Sequence, residues 1–227
     1  MIAALLPIGF ALLPGRLELR IDVGHDTDKL ERELDALYRR LNTPGDALHG
    51  IAAAPTSRPD LILRWREADG EFYVYVEDRV RRRLAGYTVF NRLIELGARA
   101  DRHLRAPHSK YRSAYQRRGV ATAVYRWGLD AGLCLITGAR QSPGAYALWR
   151  SLARHYPLLY VDLRDRVLRC LGAQVGIEVQ DDLHTRMLLL GRGWTADRLA
   201  AEAGTQVRAG TGLGGAVSPT APSRLRP

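Results

Sequence analysis

The chain has 227 residues, of which 46% are hydrophobic, with 34 Lys and Arg against 24 Asp and Glu for a formal net charge of +10. That length and apolar content suit one packed domain rather than a disordered chain. Its two cysteines, Cys134 and Cys170, sit among apolar residues without metal-ligand spacing, which argues against a disulfide framework and for reduced thiols in a cytoplasmic setting.

The positive charge is unevenly placed. Between Arg79 and Arg126 stand twelve Arg and one Lys against only Glu95 and Asp101, so this segment alone carries the whole excess. Such clustering implies an anionic partner (a polyphosphate cofactor, a nucleic acid or an acidic substrate) or else an Arg-rich solvated surface.

In chain order, MIAALLPIGFALLPG is apolar but lacks a basic leader and is broken by Pro7 and Gly9. It is shorter than the roughly 20 apolar residues of a membrane span, so a buried strand or hairpin arm is expected rather than a signal peptide or membrane anchor. RLELRID (Arg16 to Asp22) alternates as a half-buried strand. Asp26 and Asp28 offer N-caps to a helix with Leu30, Leu34, Leu37, Tyr38 and Leu41 on one face. Asn42 to Asp60 reads as a Pro/Gly-punctuated connection with at most one helical turn. LILRW, FYVYV and LAGYTVFNRLIEL then read as consecutive strands, the first two joined through the hairpin turn ADGE.

From Gly119 the period becomes helical, with Val120, Val124, Trp127 and Ala131 on the inward stripe and Gly132 as the stop. LCLITG is a short buried strand, and Ser142 with Pro143 opens a second helix that turns Ala145, Leu148, Leu152 and Tyr156 inward. LLYVDL and TRMLLL are later strands, Thr195 can cap a short closing helix, and the last segment has almost no large apolar residue. The order predicts an α/β fold, a single domain over 1–202 with a mixed central sheet flanked by helices, followed by a disordered tail over 203–227.

The junction before the first of these two helices carries the chemistry. Gln116, Arg117, Arg118, Gly119, Val120, Ala121 and Thr122 precede or open it. A helix's first turn leaves amide donors unpaired and carries partial positive charge, so it can cradle a phosphate. Glycine at 119 lets an anion approach the backbone, Ala121 adds little obstruction, Thr122 offers a hydroxyl, and Arg117 and Arg118 add mobile charge.

Gln116, Gly119 and Ala121 resemble the Q/R-x-x-G-x-G/A coenzyme A pyrophosphate loop of GNAT-type N-acetyltransferases. The following helix, the strand LCLITG and a helix reading S-x-x-A-x-x-L-W-x-x-L, with Ser142, Ala145, Leu148 and Leu152, are similar to that superfamily as well. The likeness is good from Tyr115 to about Tyr156 and is one of topology over Arg16 to Leu190. It implies acetyl-CoA as co-substrate, with its pyrophosphate on Gln116 to Thr122 and its thioester between two splayed strands. It also implies direct attack by an acceptor amine, a reaction that needs a base, an oxyanion donor and an acid for the departing thiolate.

Two departures bear on that chemistry. Trp149 stands where the superfamily often has a thiolate-protonating tyrosine, which leaves Tyr146 and Ser142 as the available donors. The strand expected just before the loop falls on LRAPHSKYRSAY, where Pro107 is poorly suited to a central strand. Either a short strand begins after Pro107 or LAGYTVFNRLIEL is the strand and a long loop succeeds it. His108 is the one group there suited to base work near neutrality, against the plainer reading of a solvated loop histidine.

Other constellations are weaker. His103 and His108 lack a third metal ligand, Asp181 and Asp182 read as a turn, and Arg79, Arg81, Arg82 and Arg83 read as a charged loop between strands. Trp127 reads as core. Three functional readings stand: a CoA-dependent acyltransferase, a nucleic-acid-binding module using the segment from Arg79 to Arg126 with Tyr87, Phe90, Tyr111 and Tyr115 as stacking groups, and an acyltransferase whose amine sits on a nucleic acid. A nonenzymatic acyl-CoA sensor also stands, since Trp149 occupies the place where an acid is expected. Neither the acceptor nor the oligomeric state is written in the sequence.

Overall fold

A computed structural model describes residues 27–204 and 206–207. The expectations for the apolar opening segment, the strand at Arg16 to Asp22 and most of the tail lie outside these residues. The sixteen elements with regular α or β geometry run α1 (Thr27–Leu41), β1 (Ala52–Pro55), β2 (Leu61–Ala68), β3 (Glu71–Asp78), β4 (Arg83–Asn91), α2 (Ala98–Asp101), β5 (Leu104–Tyr111), α3 (Val120–Asp130), β6 (Cys134–Ile136), α4 (Pro143–Leu152), β7 (Leu158–Arg164), β8 (Val167–Gly172), α5 (Ile177–Gln180), β9 (Thr185–Leu189), α6 (Ala196–Ala203) and β10 (Gln206–Val207). They build one mixed sheet in the order β1-β2-β3-β4-β5-β6-β9-β7-β8-β10. This is the expected α/β architecture.

The first five strands form an antiparallel meander. Its first tight turn is Asp69–Gly70, where φ is +54° and +75°, the doubly left-handed turn whose twist matches the flanking strands. β4 stops at Asn91, earlier than the sequence pattern suggested, because the buried Asp101 captures the next two residues. Its Oδ1 accepts from the Leu93 amide at 2.7 Å and its Oδ2 from the Arg92 guanidinium at 2.5 Å.

The helices lie on both faces of the sheet. On one face α3 and α4 pack through Tyr125, Trp149 and Leu152 against Phe90 and Tyr111, with the ring of Trp127 stacked on Phe90. On the other, α1 seats its buried Leu34 against Tyr75 and Leu84. A third cluster joins α2 and α6 to the far half of the sheet through Leu104, Ile136, Leu188 and Leu199. Cys134 is buried, which pushes its thiol up to about 11, and both cysteines are free.

The decisive irregularity is between β5 and β6. They pair in parallel only at Leu104↔Cys134 and Arg105↔Leu135, after which β6 ends and β5 continues alone along β4. Contrary to both sequence alternatives, β5 runs straight through Pro107. The Arg112 amide donates to the Ala85 carbonyl at 3.0 Å, and the β4–β5 register is unbroken from there to Asn91↔Ala106. Alternation then turns the amides of residues 106, 108 and 110 toward β4 and positions 107, 109 and 111 toward the gap. Proline's missing N–H therefore removes no rung of the β4 ladder.

Three further differences are local. The connection from Asn42 contains the short strand β1, and the stretch between the two late strands resolves into β8 and α5. Ala203 still belongs to α6 and Gln206–Val207 pairs with β8.

Candidate functional site

The open edge of β5 leads directly into the glycine-bearing turn before α3. After Tyr111 the chain makes a single 3-10 turn (Ser113–Tyr115) and reaches Gln116. Gln116 folds back so that its Nε2 donates to the Tyr111 carbonyl at 2.9 Å. That carbonyl faces the gap by the same alternation, so Gln116 closes the end of the open edge rather than reaching outward.

Arg117 and Gly119 both have positive φ, +57° and +74°. Gly119 is the N-cap of α3, and no side chain caps that helix. The Ala123 amide bonds back to the Gly119 carbonyl at 2.9 Å, leaving the amides of Val120, Ala121 and Thr122 as the unpaired donors of the first turn. A Cβ built on Gly119 would meet nothing within 4 Å, so the space beside the turn is open at that residue. Val120 is buried beneath the turn, Ala121 and Thr122 are half-buried, and Arg117 and Arg118 are exposed beside it. The structure thus brings all seven predicted cofactor residues to one turn.

A buried carboxylate holds that turn in place. Tyr115 Oη donates to Asp78 Oδ2 at 2.6 Å, and Arg81 adds its backbone amide at 2.7 Å and its Nη1 at 3.0 Å to the same carboxylate. Arg83 Nε donates to Tyr115 Oη at 3.2 Å while its guanidinium lies 5.3 Å from the ring centroid. Burial works to raise the Asp78 carboxyl, but the bonds from Tyr115 and Arg81 outweigh it and hold the group below the ordinary carboxylate range.

A cleft follows the same edge, with Thr27, Leu30 and Glu31 of α1 on one side and Ser109, Lys110 and Tyr111 of β5 on the other. It continues past Arg112 and Ser113 to Gln116. Arg112 ties the two walls together: its side chain is 4% exposed, donates to the Leu84 carbonyl at 2.8 Å and pairs with Glu31 and Asp35. Lys110 Nζ reaches Glu33 Oε2 at 3.0 Å, and Tyr87 Oη donates to Glu33 Oε1 at 2.6 Å.

On the opposite face of β5 lies a chain of hydroxyls. Thr88 Oγ1 is 2.8 Å from both Ser109 Oγ and Tyr111 Oη, and Ser109 Oγ donates to Tyr125 Oη at 3.3 Å. Burial pushes both phenols above their ordinary values.

The predicted catalytic residues are dispersed. Ser142 is the N-cap of α4, its hydroxyl accepting from the Ala145 amide at 3.2 Å. Tyr146, on the same helix, is half-buried against the core that holds Phe90 and Trp149. His108 is exposed and lies on β5 rather than in a loop, on the face shared with Lys110 and Arg112. Trp149 is 3% exposed and packs edge-on against Tyr125, with ring centroids 6.3 Å apart. Asp182 accepts from the His184 amide and pairs with Arg164, as a turn residue does. His103 lies against Trp194 and near Glu202, and among the described residues no group of three metal ligands assembles.

Three of the four rings needed for stacking on a nucleic acid are inside the protein: Phe90 is 0%, Tyr115 3% and Tyr111 7% exposed. Much of the basic cluster is also engaged internally. Arg92 pairs with Asp101, Arg99 donates to the carbonyls of Ala201 and Glu202, and Arg105 is buried against the carbonyls of Asp101 and Leu104.

No family model matches the sequence, and no curated protein matches it. Among solved structures, the chain is similar to one described as belonging to the GnaT family of acetyltransferases from Bordetella pertussis, at 17% identity and a TM-score of 0.38, over 62% of this chain and 99% of that one. It is also similar to a ribosomal-protein-S5-alanine acetyltransferase from Vibrio fischeri, at 14% identity and a TM-score of 0.31, over 55% of this chain and 64% of that one. A third is a ribosomal L7/L12 alpha-N-protein acetyltransferase solved with coenzyme A, at 12% identity and a TM-score of 0.31, over 53% of this chain and 60% of that one. All three are described as acetyltransferases.

The sequence could not show the anchor behind the turn. Asp78 and Tyr115 are separated by 37 positions, and neither carries a motif. The alternation that sends Ser109 and Tyr111 to the gap was readable in principle, once β5 is known to continue through Pro107. Among the described residues no helix is long and apolar enough to cross a membrane.

Proposed function

We propose that the protein is an acetyl-CoA-dependent N-acyltransferase, transferring an acyl group to an amine whose identity is open. The observation that carries this reading is the continuity of two donor sets left unpaired among the described residues. The gap-facing edge of β5 at Ser109 and Tyr111 runs straight into the uncapped first turn of α3 at Gly119. An extended, amide-bearing arm ending in a diphosphate matches that pair, since the arm can replace the missing strand and the diphosphate can take the helix amides.

In the reaction the amine nitrogen attacks the thioester carbonyl carbon, the C–S bond breaks, the nitrogen sheds one proton and the departing thiolate takes one. In this reading the gap-facing amides of β5 donate to the developing oxyanion. Ser142 and Tyr146 on α4 remain the proposed acids and His108 the proposed base. Ser109, backed by Tyr125, is a further hydroxyl beside the gap.

Calorimetric titration with acetyl-CoA at two salt concentrations tests the reading, beside Gly119→Glu and Gly119→Ala. Both substitutions strain the left-handed backbone at 119, but only glutamate puts a negative charge where the diphosphate would lie. Micromolar binding that glutamate abolishes and alanine merely weakens is expected. Undiminished binding by Gly119→Glu would remove the cofactor from this turn. A basic surface that binds nucleic acid, including one that delivers an acceptor amine, would instead show affinity collapsing steeply with added salt.

A further inference from the structure

On the acyltransferase reading the turn at Gly119 takes one diphosphate, which leaves Arg79 and Arg82 of the β3–β4 loop without a role. We propose that this loop, through Arg79 and Arg82, forms a second phosphate subsite, which holds the 3′-phosphomonoester of coenzyme A while the turn holds its diphosphate. The inference rests on the acyltransferase reading of the same turn.

Strand register puts the two regions together. The Arg112 amide donates to the Ala85 carbonyl, so the first residues of β4, Arg83 and Leu84, lie beside the end of β5. The loop before β4 and the turn after β5 therefore leave the sheet at the same end. The second tie is covalently close to the turn: Tyr115, one residue before Gln116, is bonded to Asp78 at the loop's entry and to Arg83 at its exit.

The loop's arginines divide into two roles. Arg81 and Arg83 are committed to the Asp78–Tyr115 anchor. Arg79 and Arg82 are exposed, and Arg82 holds a left-handed backbone at φ +50°, a conformation uncommon outside glycine. The nearby carboxylates are already taken, Asp60 by Arg58 and Asp78 by Arg81, and so do not neutralise the outer pair. A loop that served only solubility would not need a fully buried carboxylate fastening it to the turn. A phosphomonoester carries close to two negative charges at neutral pH, and arginine meets it with paired N–H donors.

The test compares coenzyme A with 3′-dephospho-coenzyme A by calorimetry, on the wild type and on a protein carrying Arg79→Ala with Arg82→Ala. The expected result is about tenfold or more tighter binding of coenzyme A by the wild type. The double variant should bind both ligands with the wild-type affinity for the dephospho form. Equal wild-type affinities, or a preference that survives the double substitution, would overturn the subsite and leave the turn's role standing. Failure of the wild type to bind either ligand would overturn the acyltransferase reading and the subsite with it. A single-stranded oligonucleotide bound as tightly as coenzyme A, and lost in the double variant, would also overturn it by assigning these arginines to a polymer.

Discussion

Tyr115 donates its phenolic hydrogen to Asp78 across 2.6 Å, at a point where neither residue is more than 3% exposed. This single bond joins the end of β3 to the residue that precedes the glycine-bearing turn. Tyr115→Phe keeps the ring under the Arg83 guanidinium but leaves the carboxylate short of a donor. Loss of about 1.5–3 kcal/mol is expected in denaturant unfolding, the usual worth of a hydrogen bond to a charged group, with the Arg81 donors left in place.

The same carboxylate gives stability a pH dependence. The Asp78 carboxyl is held below its ordinary value in the folded protein. Its contribution is therefore fully present above the unfolded carboxylate pKa of about 3.9 and is lost as pH falls through the lower folded value. Asp78→Asn should flatten that acid limb in thermal unfolding followed from about pH 5 downward. An unchanged acid limb would show that other carboxylates govern it.

Two glycines fix how closely layers approach. A Cβ at Gly128 of α3 would stand 2.9 Å from the Phe90 ring, and one at Gly86 of β4 would stand 2.3 Å from the Lys110 carbonyl. The first neighbour is a side chain in the core and the second is backbone. Gly128→Ala should cost about 1–3 kcal/mol through overpacking. Gly86→Ala should cost more, because β4 and β5 would have to part. Parallel denaturant melts rank the two, and the reverse order would contradict this packing.

Ser142 is a cap before it is anything else. Ser142→Ala should lower stability by about 1 kcal/mol, and Ser142→Asp should restore it, since a carboxylate accepts from the Ala145 amide equally well. Aspartate would not restore a proton-donating hydroxyl. Acyl transfer that falls in both variants, once an acceptor amine is in hand, would assign the hydroxyl a chemical role besides the cap.

What the sequence disclosed was local. Asp69–Gly70, Gly119, Ser142–Pro143 and Thr195 each state a turn or helix start in their own covalent chemistry, and each appears where that chemistry puts it. The course of β5 was not legible because the cost of a proline depends on which neighbour stands opposite its nitrogen, and that is a tertiary fact. The charge excess was misleading for a similar reason. Arg112 counts as a surface cation in the sequence but is buried beneath Glu31 and Asp35, and their position depends on how α1 docks. Tyr111 and Tyr115, expected as stacking groups, are interior because their strand and turn face α3 and Asp78 rather than solvent.

Pro107 also bears on why the opening beside β5 persists. A strand that tried to extend the parallel pairing beyond Arg105 would need its next donor from position 107, where the ring nitrogen has no hydrogen to give. β6 cannot zip the sheet shut from inside, and a stray strand from another chain meets a blunted edge there. The vacancy in the ladder is thus specified by one imide bond in the primary structure, independently of anything that comes to fill it.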